Sequence, residues 1–166
     1  MGATENKRII EQIMEEVWNR GDLDKVEEYI TDDSVEHNPY GELAGPEGMR
    51  QFVTAIHQTY DDFRIVAHNM IANDNFVSYN YTVEGTQTGS VGELEPTEKT
   101  VEIQGVYLAR IENGKIVEAW NQFDVMSLLS QLGQLPEQAF VKIRKAQVSR
   151  EERSDQEQIP EHRPRA

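Results

Sequence analysis

Between Thr4 and Arg20 the apolar side chains Ile9, Ile10, Ile13, Met14, Val17 and Trp18 recur three and four residues apart, and Gly21 follows them. That spacing predicts an amphipathic helix with a glycine stop. A second, short helix is predicted over about 23–29. The stretch TDDSVEHNPYGELAGPEG is then dominated by turn-forming residues, with room for one short strand around Val35. Pro46 stands where a third helix would begin, and Met49, Phe52, Val53, Ile56 and Tyr60 supply its apolar stripe.

After Asp61 the period of the pattern changes from 3.6 to 2, which predicts strands at about 63–72, 76–88, 99–111 and 115–124. Asn73-Asp74-Asn75 and Asn113-Gly114 mark tight turns, the second with the composition of a two-residue hairpin. Helices followed by consecutive strands make an α+β class. Beyond Pro136 the composition shifts, so residues 1–136 are expected to form one domain. A charged helix over 137–150 and a mobile tail would follow.

Alternation separates the faces of two strands. Val77, Tyr79, Tyr81, Val83, Gly85 and Gln87 form the apolar set of the first, and Val101, Ile103, Tyr107 and Ile111 that of the second. In KIVEAWNQFDV neither face is cleanly apolar. One carries Ile116, Glu118, Trp120, Gln122 and Asp124, the other Val117, Ala119, Asn121, Phe123 and Val125. Periodicity does not choose between them.

Composition narrows the chemistry. The chain has no cysteine, which excludes disulfides, thiolate metal sites and a cysteine nucleophile. A net charge of -14 repels phosphate backbones and anionic lipid, so neither nucleic acid nor a membrane surface is an expected partner. Six lysines against ten arginines on an acidic chain is the balance expected of a protein kept soluble in high salt. No apolar run is long enough to span a bilayer and no signal-peptide layout opens the chain, giving a cytoplasmic expectation. No histidine pair has metal-site spacing with a carboxylate, so no metal is expected.

The order of elements resembles the nuclear transport factor 2-like superfamily, and several short motifs resemble its SnoaL-like polyketide cyclases. They are VEHNP at 35–39, GPEGMRQF at 45–52, DDFRI at 61–65, GTQTG at 85–89, ENGKIVEAWNQFD at 112–124 and SQLGQLP at 130–136. The resemblance implies a cone formed by a curved antiparallel sheet and N-terminal helices around a central pocket. It also implies a hydrophobic small-molecule substrate, and a homo-oligomer of two or four chains. It makes Asp124 the catalytic acid/base and turns Trp120, Gln122 and Asp124 into the cone. His37, in the H-x-P position, is the second catalytic candidate. Gln87 stands where the family pattern G-T-H-x-G has histidine; it can donate a hydrogen bond but carries no proton near neutral pH. With Trp120, Gln122, Tyr79, Tyr81 and Tyr107 it makes up the expected substrate-binding set.

For Asp124 a second reading stays open. VMSLLSQL follows directly, so the aspartate also suits the N-cap of a helix. For the protein as a whole, cofactor-independent enolisation with ring closure or isomerisation stands beside a non-catalytic binding or dimerising module of the same fold.

Overall fold

The computed structural model describes residues 2–135; the helix and tail expected at 137–166 lie outside the described residues. Helix α1 (Ala3–Ile13) continues without a break into a wider π-helical turn over Met14–Asn19. Ile9, Ile10, Ile13, Met14 and Val17 are buried along this length, so the stripe predicted from spacing is the stripe that packs. Gly21, at φ +70°, takes the left-handed conformation that ends it, and Asp22 N–H returns to Glu16 C=O at 3.0 Å. A single tight turn (Leu23–Lys25) and the short α2 (Val26–Tyr29) follow.

Strand β1 (Ile30–Asn38) and the edge strand β2 (Gly41–Ala44) come next, then α3 (Gly45–Thr59) with Pro46 in its first turn. The chain then runs through the long strands β3 (Tyr60–Ala72), β4 (Phe76–Gln87), β5 (Thr100–Glu112) and β6 (Lys115–Phe123) and ends in α4 (Val125–Gln131). The six strands form one sheet in the order β2-β1-β6-β5-β4-β3. All pairs are antiparallel except β1 with β6, which is parallel. That mixed pair closes the end of the sheet over which α3 packs.

The Asn113-Gly114 turn has φ of 50° and 83°, the double positive φ of a type I′ hairpin. Asn6, buried on α1, donates to the carbonyls of Asn73 and Asp74 at 3.0 Å each and ties the helix to the β3–β4 turn. Strands β4 and β5 bury the alternation read from sequence: Val77, Tyr79, Tyr81, Gly85 and Gln87, and Val101, Ile103, Gly105, Tyr107, Ala109 and Ile111.

Strand β6 corrects the expectation. Its register against β5 slips between Arg110 and Ile111: Ile111 faces Ile116, but Arg110 faces Glu118, leaving Val117 as the extra residue of a bulge. Ile116 is buried before the bulge and Ala119 and Asn121 after it. The phase of alternation has moved by one. Past the bulge the inward set is therefore Ala119, Asn121 and Phe123, whereas Trp120, Gln122 and Asp124 lie on the outer side. No helix among the described residues is long and apolar enough to cross a membrane.

Candidate functional site

Helices and sheet surround a cavity that is partly open to solvent. Trp18 and Phe52 line it from the helices, Phe63 and Ile65 from β3, Val83 from β4 and Ile103 from β5. Tyr40, from the β1–β2 turn, and Leu128, from α4, line the side where Tyr40 meets the Phe123 ring at a centroid distance of 5.3 Å. Apart from exposed Glu84, whose side chain points to the other face of β4, no residue of the lining carries a full charge at neutral pH. Such a lining favours an uncharged, largely hydrophobic ligand.

Besides Tyr40 and Tyr60, four polar side chains of the lining sit on neighbouring strands. Tyr79 and Tyr81 come from β4, Tyr107 from β5 and Asn121 from β6. Tyr79 and Tyr107 face each other in register with ring centroids 5.3 Å apart. Behind them lies Glu36, 4% exposed, on the inward side of β1. Asn121 Nδ2 donates to Glu36 Oε1 at 3.2 Å and Tyr107 Oη donates to Oε2 at 3.1 Å. Tyr81 Oη in turn donates to Asn121 Oδ1 at 2.6 Å, which fixes the amide with its NH₂ toward the acid. Tyr79 Oη makes no hydrogen bond among the described residues.

Burial pushes the Glu36 carboxyl above its usual range, and the bonds from Asn121 and Tyr107 pull it part of the way back. The same burial, reinforced by the nearby Glu36 charge, drives the Tyr79 and Tyr107 hydroxyls well above theirs. They are donors here, not phenolates.

The residues expected from sequence are divided between three places. Tyr79, Tyr81 and Tyr107 line the cavity. Gln87 is fully buried but belongs to the β4–β5 connection. Its Nε2 donates to the carbonyls of Gly89 (3.1 Å) and Glu95 (3.4 Å), and its Oε1 accepts from Thr97 N–H (3.2 Å) and Oγ1 (2.6 Å). Both amide hydrogens are used, so it has none left for a ligand.

His37 and Trp120 sit side by side on the outer face, where the parallel register pairs them and their rings stack at 5.7 Å. The imidazole lies between Glu42 and Glu118, 3.2 Å from each, and Arg110 bonds Glu118 from the next strand. Gln122 is exposed on the same face.

Asp124 is exposed, and its Oδ1 accepts from Ser127 N–H at 2.8 Å: it is the N-cap of α4. Placing the cap there also places Leu128, which lines the cavity. Asp124→Ala is expected to cost about 1 kcal/mol in chemical denaturation, the usual worth of such a cap.

Glu36 and Asn121 were missed from sequence. Glu36 hides in a turn-rich stretch, and Asn121 was overlooked beside the more conspicuous Trp120, Gln122 and Asp124. The available signal was the short alternation Ala119, Asn121, Phe123, an apolar face with one amide in it.

A curved mixed sheet wrapped with helices around an apolar cavity defines an α+β cone protein. Residues 8–132 match the family model for SnoaL-like polyketide cyclases, and the chain belongs to that family. Among solved structures it is similar to AclR from Streptomyces galilaeus, with 24% identity and a TM-score of 0.74, over 86% of this chain and 94% of that one. IdmH from Streptomyces antibioticus shares 23% identity at a TM-score of 0.69, over 77% and 98%. A SnoaL-like polyketide cyclase from Agrobacterium tumefaciens shares 16% at 0.66, over 76% and 97%. At these identities the likeness is one of fold. No curated protein sequence matches the chain.

Proposed function

We propose that this protein enolises a hydrophobic, uncharged carbonyl compound without a cofactor, and that the enolate then closes a ring by aldol attack or is reprotonated as an isomer. Family membership supports the class of reaction. The observation that carries the reading is the distribution of polarity in the cavity. Aromatic and aliphatic walls accept the body of a ligand, and Tyr79, Tyr107 and Asn121 present polar groups from three adjacent strands.

A ligand seated in this way brings its carbonyl oxygen to the Tyr79 hydroxyl, which has a hydrogen to give. Donation there withdraws electron density and acidifies the neighbouring C–H. The same bond strengthens as the oxygen gains charge, the differential binding that lowers a barrier. Asp124 and His37 are not assigned the acid/base role in this reading, since the one caps a helix in solvent and the other faces away from the cavity.

The first step can be tested without knowing the natural substrate. 2-Tetralone, an enolisable bicyclic ketone, is incubated with the protein in D₂O and loss of its α-proton signal is followed by NMR. Exchange faster than in buffer, and suppressed by a second apolar ligand competing for the cavity, is the expected result. Binding of the ketone with exchange at the buffer rate would reduce the cavity to a carrier site.

A further inference from the structure

We propose that Glu36 is the proton-holding group of this cavity and acts on the ligand through the hydroxyl of Tyr107. The inference deepens the enolisation reading and rests on it for the reaction, though not for the state of the carboxyl.

The starting point is that the fold has no structural need of an acid at this position. A buried carboxyl with neutral partners is costly, and an apolar side chain of similar volume is often as good or better for stability. Among the described residues no cation lies near Glu36. From β5 and β4 the titratable groups facing it are Tyr107, Tyr79 and Tyr81. From β6, β2 and α3 it meets Ala119, Asn121, Leu43 and Met49, none of which titrates. The acids and the histidine nearest in sequence and pairing, His37, Glu42 and Glu118, interact with one another on the opposite face. With donors but no counter-charge, burial favours the neutral carboxyl while the bonds from Asn121 and Tyr107 favour the carboxylate.

Those two states give the cavity different hydrogen-bond polarity. Tyr107 lines both the cavity and the small void that holds Glu36, and its hydroxyl reaches the carboxyl. When Glu36 is ionised, Tyr107 O–H donates to Oε2, as observed, and offers the ligand only lone pairs. When Glu36 is protonated, its own O–H donates to Tyr107 Oη, and the tyrosine hydrogen turns into the cavity.

Enolisation follows as a relay. The C–H bond next to the carbonyl breaks, and its proton goes to Tyr107 Oη while the Tyr107 proton passes to the Glu36 carboxylate. The released pair becomes the C=C of an enolate whose oxygen is held by Tyr79. Charge moves from Glu36 to the enolate, and no tyrosinate is formed. Running the relay backwards returns a proton to carbon, or to the alkoxide after ring closure. Asn121, clamped by Tyr81, keeps the carboxyl aligned. Since Glu36 works through Tyr107, it is a positioning residue, and the signature to look for is a pH profile.

The test compares wild type with Glu36→Gln, Tyr107→Phe and Asp124→Asn. 2-Tetralone exchange is measured between pH 5 and 9, and its affinity is read from Trp18, which lines the cavity. Wild-type exchange should rise with pH through a midpoint above the ordinary carboxylate range. Glu36→Gln and Tyr107→Phe should lose about 10²–10⁴-fold, while Asp124→Asn keeps the wild-type rate.

A ketone oxygen only accepts hydrogen bonds. Wild-type affinity should therefore fall as pH climbs through that midpoint, whereas Glu36→Gln, whose amide donates at every pH, should bind with a flat profile. Retained exchange in Glu36→Gln, or a wild-type affinity independent of pH, would overturn the proposal. Absence of exchange in wild type, with affinity still tracking pH and flattened by Glu36→Gln, would sink the enolisation reading and leave Glu36 as the switch of a binding site. Should Glu36→Gln not fold, the Tyr107→Phe profile decides: exchange and pH-dependent affinity equal to wild type overturns the relay.

Discussion

Gly105→Ala is expected to be strongly damaging, although it adds only one methyl group. Gly105 lies on β5 directly opposite Tyr81, and a Cβ there would stand 2.3 Å from Tyr81 Cζ and 2.4 Å from its hydroxyl oxygen. The ring can yield only toward the cavity it lines. It is buried beside Tyr79, and its hydroxyl is committed to Asn121. Accommodating the methyl means swinging Tyr81 out of its rotamer and breaking that bond. The overpacking costs about 1–3 kcal/mol, and a stranded Asn121 carbonyl adds about 1–3 kcal/mol. Urea denaturation of the variant should show a correspondingly lower midpoint, and 2-tetralone binding should weaken with it. An unchanged midpoint would mean that Tyr81 is not fixed in the way described.

Asn121→Leu should come next. The substitution suits the local hydrophobicity and roughly keeps the volume, yet it removes the donor to Glu36 and the acceptor of Tyr81 at once. Two buried polar groups lose partners, worth about 2–5 kcal/mol together. The loss should also depend on pH in a definite direction. The folded-state pKa of Glu36 already lies above its unfolded value. Its contribution to stability is therefore fully present below the unfolded pKa and is lost as pH rises through the folded one. Removing a donor that favours the ionised form raises the folded pKa further and extends the loss to higher pH. The Asn121→Leu penalty should be smaller at pH 5 than at pH 8, measured by urea midpoints at both. A penalty equal at the two would show that Glu36 is already neutral, or solvated, throughout.

Both predictions concern residues that the periodicity of the chain does not single out, and the reason is physical. Where a strand obeys simple alternation, as β4 and β5 do, its inward face is legible, and Tyr79, Tyr81 and Tyr107, read as inward, line the cavity. Helix α1 and α3 were legible for the same reason, since their buried stripes keep the helical period. Strand β1 was not, beyond a short piece around Val35. Its inward positions are Ser34 and Glu36 and its outer ones include Asp32 and Asp33, so burial and polarity are decoupled over most of its length. A site that buries an acid necessarily erases the pattern by which its strand would be found.

Asp124 illustrates the opposite hazard. An acid after an aromatic strand and before an apolar helix satisfies the description of a pocket base and of an N-cap equally well. The backbone decides between them: the strand ends at Phe123, and the Asp124 carboxylate is spent on Ser127 N–H. Gln87 was likewise correctly judged to be inside, but its four hydrogen bonds are claimed by the loop it holds. Facing inward and being available are separate properties, and alternation reports only the first.

The single unpaired residue at Val117 acts, in effect, as a reading-frame setter for the last strand. Upstream of it, even numbers address the interior; downstream, odd numbers do. Two similar chains that differ by one residue in the hairpin before this point, or in the bulge itself, would present opposite halves of the same WNQF segment to their ligands. Comparison or redesign of β6 should therefore align parity after the bulge before it aligns letters. In this protein, changes meant to reshape the ligand's surroundings belong at 119, 121 and 123, while 118, 120 and 122 address whatever meets the outside of the sheet.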